Sequence, residues 1–251
     1  MKAMPDRTPE LGLARALVET VVTVADDFDE DRHLGRVSQV CAELLDALAA
    51  GVMYTDAQDA VRIATSRRGE RLARELLEAQ HLGGPCIDCF GSGKPVGPVR
   101  LAARDAVARW PEFAARATAQ GVDVALAVAL RARGRVYGVL GVFAAEPKAD
   151  SALGLAQALA DVAAAGLHNQ RAYTECRDLS RQLQAALSSR IRIEQAKGIL
   201  AERWQTGTDA AFGAMRRYAR RERLVMDTVA GMVLQGTLDD AMLQDGYGPS
   251  R

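Results

Sequence analysis

The chain has 251 residues, of which 49% are hydrophobic and 25% are charged, and this composition excludes disorder over most of its length. The 32 basic and 32 acidic side chains cancel to a formal net charge of zero, which excludes a uniformly basic nucleic-acid-binding protein. A chain of this length predicts one large domain or two smaller ones.

Neither a membrane span nor a secretory signal is expected. The longest fully apolar run near the middle of the chain, Val124 to Leu130, is far shorter than the roughly 18 residues that a membrane span needs. The N-terminal segment carries acidic side chains and a helical pattern instead of a basic start and an apolar core. With neither a span nor a signal predicted, we expect a cytoplasmic protein with no membrane partner. Four cysteines are too few for a disulfide framework, so we expect them to be free thiols.

Two helices are predicted between Glu10 and Leu48, because apolar residues recur there at helical spacing. The first helix contains Leu13, Leu17, Val21 and Val24. The second contains Val37, Val40, Leu44, Leu45 and Leu48.

Four β-rich segments follow. Gly51–Thr55 and Val61–Thr65 are separated by polar residues and predict a hairpin. Val124–Leu130 and Val136–Phe143 predict two stronger strands, joined by a polar turn at residues 131–135. These segments favour an antiparallel sheet.

The long connection between the two strand pairs contains a predicted helix over Glu70–Ala79 and then a segment rich in Gly and Pro, residues 81–98. A loop of this length is typically a lid, a binding loop or a disordered segment. Cys86 and Cys89 form a C-x-x-C pair in it, which is typical of a redox pair or half of a metal site. A structural zinc needs two more ligands, and His81 is the only nearby candidate in the sequence. The alternative is that Cys86 and Cys89 are simply small apolar residues buried in the core.

Residues 153–236 read as helix throughout. Apolar residues there step by four and three in a short heptad seam, formed by Ala172, Cys176, Leu179, Leu183 and Ala186. This seam predicts pairing with a second copy of the chain, with packing inside one chain as the alternative. A further helix opens at Asp209 with Thr208 as its N-cap, and a last one ends near Gly236.

The charge is unevenly distributed along the chain. Residues 1–176 carry 20 basic and 23 acidic side chains, whereas residues 177–223 carry 11 basic and five acidic ones. The second segment therefore has a local charge of +6, and residues 224–251 are acidic again. A local basic segment of this kind predicts an anionic partner or a solvated helix face.

Most of the candidate contact residues in this segment lie on one helix. Arg216, Arg217, Arg220 and Arg221 form two adjacent rows on it, and Tyr218 between them is a candidate for stacking on an unpaired base. Arginine contacts to phosphate supply affinity, and base contacts supply selectivity. Other candidates are Arg190, Arg192 and Lys197, the last because lysine is rare in a chain that uses arginine for most of its positive charge.

The stretch Ser189 to Ala230 resembles the ANTAR domain, an RNA-binding antitermination module of bacterial regulators. The resemblance lies in IEQAKGIL at residues 193–200 and in a pattern that follows it at the usual distance. The residues of that pattern are Asp209, Ala211, Phe212, Met215, Arg216 and Ala219. It implies a bundle of three helices.

The middle of the chain resembles the GAF domain that precedes ANTAR in many actinobacterial proteins. The residues that carry this resemblance are GGPCIDCFGSGKPV at 83–96, RWPEFAARATAQGV at 109–122 and ALRARGRVYGVLGVF at 129–143. It implies a central antiparallel sheet with helices on one side. It also implies that the domain is a dimerisation unit or a sensor of an unidentified ligand, and no cofactor is expected. We therefore expect an α+β chain with a GAF domain at 10–165, a helical coiled-coil linker at 166–188 and an ANTAR bundle at 189–244.

No catalytic fingerprint was found, so we do not expect an enzyme. The resemblances imply a cytoplasmic homodimer whose GAF domain senses a signal and whose ANTAR bundle binds paired stem-loops in nascent transcripts. It would then act on the elongating RNA polymerase indirectly, by preventing a terminator from forming. The alternatives are a dimeric GAF protein whose bundle docks a protein partner, and a thiol redox sensor that uses Cys86 and Cys89.

Overall fold

A computed structural model describes residues 28–149 and 151–244 of the chain. One compact unit ends at Thr174, and a second begins at Glu175. The helix predicted from Leu13, Leu17, Val21 and Val24 lies outside the described residues.

The first unit is built on an antiparallel sheet. Its strands are β1 (Ala49–Thr55), β2 (Val61–Thr65), β3 (Val96–Arg100), β4 (Val124–Ala132) and β5 (Arg135–Ala144). They are arranged in the order β2-β1-β5-β4-β3, and β1 and β2 form the predicted hairpin. All four strands that the sequence predicted are confirmed, with small extensions at their ends.

Helices cover both faces of this sheet, so the expectation of helices on one side is wrong. The described helices of the first unit are α1 (Glu30–Leu44), α2 (Glu70–Glu78), α3 (Pro85–Ser92), α4 (Arg104–Arg109), α5 (Pro111–Ala119) and the first part of α6 (Ser151–Arg203). One face packs against α1 and α6, and the other packs against α2 to α5.

The sequence of β4 explains this arrangement. Successive side chains of a strand point to opposite faces, and residues 124–130 are all buried. Its larger side chains, including Leu126 and Leu130, pack on the α1 and α6 side, whereas the small Ala125 and Ala127 pack on the other side. A strand that is apolar on both sides requires a covering layer on each face.

The segment rich in Gly and Pro is not a loop, which corrects the sequence-based expectation. It forms a 3-10 turn over Ala79–Leu82, helix α3 and strand β3. Pro85 occupies the first turn of α3, and the buried amide oxygen of Gln80 accepts a hydrogen bond of 2.7 Å from the backbone N–H of Cys86. Gly93 ends the helix with φ of 63°, a conformation that glycine adopts without steric cost. Gly and Pro therefore mark the ends of a short helix.

A polar cluster within the first unit joins the part of α6 around residue 171 to the central strands β1 and β5 and to α1. The guanidinium of Arg171 donates to both carboxylate oxygens of Glu30, at 2.7 and 2.8 Å, and to the carbonyl oxygen of Thr55 at 2.6 Å. One turn earlier, Nδ1 of His168 lies 2.8 Å from the hydroxyl of Tyr137. This cluster joins α1, β1, β5 and α6.

The second unit consists of the rest of α6 together with α7 (Thr208–Arg221), α8 (Met226–Leu234) and α9 (Asp240–Gln244). The three predicted helices are confirmed. Helix α9 was not predicted, because its five residues are too few to show a helical pattern. Helix α7 begins one residue earlier than expected, with Gly207 as its N-cap and no side-chain capping bond. Gly236 follows α8 with φ of 67°, as its predicted capping position requires.

Among the described residues, no helix combines the length and the apolar character that crossing a membrane requires.

Candidate nucleic-acid interface

Helix α7 has one apolar face and one arginine face. Ala211, Met215 and Ala219 are buried in the core of the second unit, where they contact residues of α6 and α8. The exposed face carries the four arginines of the predicted pair of rows: Arg216, Arg217, Arg220 and Arg221. At about 100° per residue these four side chains span about 140° of the helix surface. We call this set the arginine stripe.

The members of the stripe differ in their partners. Within the part of the chain that the structure describes, Arg216 and Arg220 form no ion pair and no side-chain hydrogen bond. Arg221 is held in place, because its Nε donates to Oε1 of Glu222 at 2.9 Å and its Nη2 donates to the carbonyl oxygen of Met242 at 2.7 Å. The stripe therefore keeps at least two guanidiniums available for an anion.

Tyr218 is not placed for stacking on a base. The residue is only 7% exposed and belongs to the core of the second unit, with the guanidinium of Arg221 5.1 Å from its ring centroid. The ring contacts the guanidinium of Arg221, one member of the stripe, and does not present a face to solvent.

Arg192 joins two helices. Its guanidinium forms a bidentate ion pair with Asp227 at the start of α8, with N–O distances of 2.8 and 2.6 Å. Hydrogen bonds from Arg192 and Ser189 lower the pKa of the Asp227 carboxyl below its ordinary value. This geometry gives Arg192 a positioning role within the bundle.

Lys197 is mostly buried, with 15% of its side chain exposed. Its ammonium lies 2.9 Å from Oε2 of Glu194 and 5.3 Å from the ring centroid of Phe212. The ammonium therefore links α6 to α7 through a cation–π contact.

Arg190 is exposed on α6, and within the described residues it has no ion-pair partner. Arg223 is also exposed, two residues after the end of α7 and with φ of 55°. The sequence analysis counted Arg223 in the basic segment without naming it as a candidate, although its position two residues after Arg221 was a usable signal.

Trp204 was not predicted as a functional residue. It is half-buried at the end of α6, and its Nε1 donates to Oδ2 of Asp240 at 3.0 Å. The other carboxylate oxygen of Asp240 accepts from Arg203 at 2.7 Å. An aromatic residue near a basic helix was a visible signal, but its partner lies in α9, which was not predicted.

Cys86 and Cys89 lie together on α3, and neither side chain is exposed to solvent. Burial raises the pKa of Cys86 to about 12 and that of Cys89 to about 11. Because the thiolate is the reactive form, these thiols are poor nucleophiles at neutral pH. Among the described residues, no group of three or more His, Cys, Asp and Glu side chains is arranged to hold a metal ion.

Comparison with family models found two matches. A model of the GAF domain matches residues 11–168, and a model of the ANTAR domain matches residues 181–234. No curated protein matches the chain.

Solved GAF domains are also similar to the chain. The GAF domain of a phosphoenolpyruvate-protein phosphotransferase from Acinetobacter is 14% identical with a TM-score of 0.48, over 66% of this chain and 97% of that chain. The corresponding domain from Coxiella burnetii is 18% identical with a TM-score of 0.48, over 67% and 99%. The nlh2 GAF domain of A. aeolicus is 14% identical with a TM-score of 0.47, over 65% and 99%.

Proposed function

The chain belongs to the GAF domain family and carries an ANTAR domain, and we propose that it is a transcription antitermination regulator that binds paired RNA stem-loops. ANTAR is an RNA-binding antitermination domain, and GAF is a signal-sensing domain. In the proposed mechanism the GAF domain senses a signal and the ANTAR bundle holds the stem-loops, so that a terminator cannot form in the nascent transcript. The elongating polymerase is affected through its transcript, in the cytoplasm.

The arginine stripe carries this proposal. It lies within residues 181–234, the range that the ANTAR model matches, and it is exposed. Arg216 and Arg220 are one helical turn apart and, among the described residues, have no internal anion that neutralises them. Planar guanidiniums suit phosphate oxygens because they donate two parallel hydrogen bonds.

We expect the protein to bind RNA as a homodimer. The seam residues Leu179 and Leu183 are 56% and 62% exposed in the single chain, and Leu187 beside them is 60% exposed. Packing within the chain would cover such a row of leucines, so their exposure favours pairing between two copies. A dimer presents two ANTAR bundles to two stem-loops.

The direct test is a titration of stem-loop RNA with the intact protein and with the variant Arg216→Gln, Arg217→Gln, Arg220→Gln and Arg221→Gln. We expect the variant to bind ~10-fold more weakly or worse, with a flatter dependence of log K on log salt, because fewer phosphate contacts release fewer counterions. Fluorescence anisotropy at several salt concentrations measures both quantities.

A matched control removes the same charge from the first unit. Arg36, Arg67, Arg104 and Arg116 are exposed there, and changing all four to Gln should leave both the affinity and the salt slope close to those of the wild type. Equal losses in the two variants would indicate attraction by total charge alone. Unchanged binding in the stripe variant would contradict the proposal.

A further inference from the structure

A cavity of about 250 Å³ lies in the second unit, beside the arginine stripe. It is bordered by the end of α6, the turn that follows, the first half of α7 and the end of α9. The residues that line it include one aromatic, three uncharged polar and two small side chains: Trp204, Gln205, Thr206, Ala210, Ala214 and Gln244. The volume is below the roughly 300–1,000 Å³ of pockets for drug-sized ligands, so its occupant is a small group.

The lining matches the chemistry of a nucleobase. An indole offers a flat π surface on which a base stacks, and amide side chains offer both a donor and an acceptor to a base edge. The Trp204 ring is already fixed in the unbound protein, because Asp240 accepts from its Nε1 and from Arg203. A fixed ring loses little conformational entropy when a base binds.

The stripe extends from this cavity along one side of α7. Ala210, Ala214, Arg217 and Arg221 follow one another by four, three and four residues, so they lie within about 60° of one another around the helix. At 1.5 Å per residue, Arg217 lies about 4.5 Å further along the helix axis than Ala214. A nucleotide whose base enters the cavity therefore places its phosphate beside a guanidinium.

We propose that this cavity captures one unpaired nucleobase of the bound RNA. Trp204 stacks on the base, Gln205 and Gln244 bind its edge, and Arg217 binds the adjoining phosphate. Asp240 is a positioning residue that holds the indole. The inference rests on the proposed RNA-binding function and adds a selectivity site to it, with Trp204 in the role that the sequence suggested for Tyr218.

The test uses the full-length protein and hairpin RNAs selected from a pool with randomised loops. Each loop nucleotide is replaced in turn by an abasic ribose, and binding is measured by fluorescence anisotropy. With the wild type, we expect one abasic position to weaken binding by about 5- to 150-fold, the range found for loss of one stacked base. The variant Trp204→Ala should bind the intact hairpin about as weakly as the wild type binds the abasic hairpin. In this variant the same abasic position should cause no further loss of affinity.

Two further variants separate base capture from folding. Trp204→Phe keeps a stacking ring and should retain most of the affinity. Ala210→Leu fills the cavity but leaves the Trp204–Asp240 bond in place, so it should fold as the wild type does and still lose the effect of the abasic position. Circular dichroism checks the fold of each variant.

The outcomes distinguish this inference from the proposed function. If no hairpin binds the wild type, the proposed function is wrong. If hairpins bind equally well to the wild type, Trp204→Ala and Ala210→Leu, only the base pocket is wrong. A free nucleoside monophosphate that binds more tightly than the hairpins would identify a metabolite site and also contradict capture of an RNA base.

Discussion

Thiol reactivity follows from the environments of individual cysteines. Cys86 and Cys89 are fully buried, and burial raises their pKa values to about 12 and about 11, whereas Cys176 is exposed on α6. We expect an alkylating reagent at pH 8 to modify Cys176 first and to modify Cys86 and Cys89 much more slowly, because little thiolate is present at either buried site. Mass spectrometry of quenched time points measures the order.

In denaturant all four cysteines should react at similar rates, which shows that the folded structure protects the buried ones. Rapid modification of Cys86 or Cys89 in the native protein would contradict this prediction. It would also support the alternative of a thiol redox sensor. The spacing of the two cysteines allowed that alternative, but the spacing alone did not reveal that both side chains are buried.

Helical periodicity was sufficient to predict the exposure of some α7 side chains but was misapplied to Tyr218. Arg216 and Arg220 are exposed, as the alternation of apolar and basic residues on α7 indicated. Tyr218 lies about 60° from Met215 and about 100° from Ala219 around the helix, so the same geometry places it near the core. Its hydroxyl and its neighbours in the sequence suggested a surface role, but its position on the helix decided its burial.

Elements were predictable where one sequence pattern extends over many residues. The strands β4 and β5 and the helices α6 to α8 have long apolar patterns, and all were predicted. Helices α3, α4 and α9 have eight, six and five residues, too few for a periodicity to be recognised. Their positions depend on distant partners, such as the Gln80 amide at the start of α3 and the Asp240 clasp to Trp204.

The exposed seam on α6 gives a prediction about oligomeric state. We expect Leu183→Glu to convert a dimer into a monomer at micromolar concentration, because it places two like charges at facing positions of the paired helices. Gln184→Glu is the matched control, since it adds the same charge on the same turn but off the seam. Sedimentation velocity distinguishes the two masses.

A Leu183→Glu variant that remains dimeric would show that another surface joins the copies. The heptad spacing predicted the seam but did not decide between pairing within and between chains. Exposure of Leu179, Leu183 and Leu187 in the single chain is the added observation that favours two copies.

The net charge of zero results from opposite charges on different parts of the chain. Residues 177–223 carry a charge of +6, and the acidic residues before and after them offset it. The sequence alone was sufficient to identify this charge distribution, because counting the basic and acidic residues reveals it. It was not sufficient for the base pocket, which is formed by residues as distant in the chain as Trp204 and Gln244.

The two bundles of a dimer should bind an RNA with two stem-loops more tightly than an RNA with one, because the second contact is intramolecular. The gain from such linkage can reach roughly 10²- to 10⁴-fold, without any new contact within each bundle. We expect Leu183→Glu to remove this gain while leaving the affinity for a single stem-loop close to that of the wild type, since the variant leaves the arginine stripe unchanged. Anisotropy titrations with single and paired stem-loops measure both affinities for each protein. A gain that persists in a monomeric Leu183→Glu protein would mean that one bundle contacts both stem-loops.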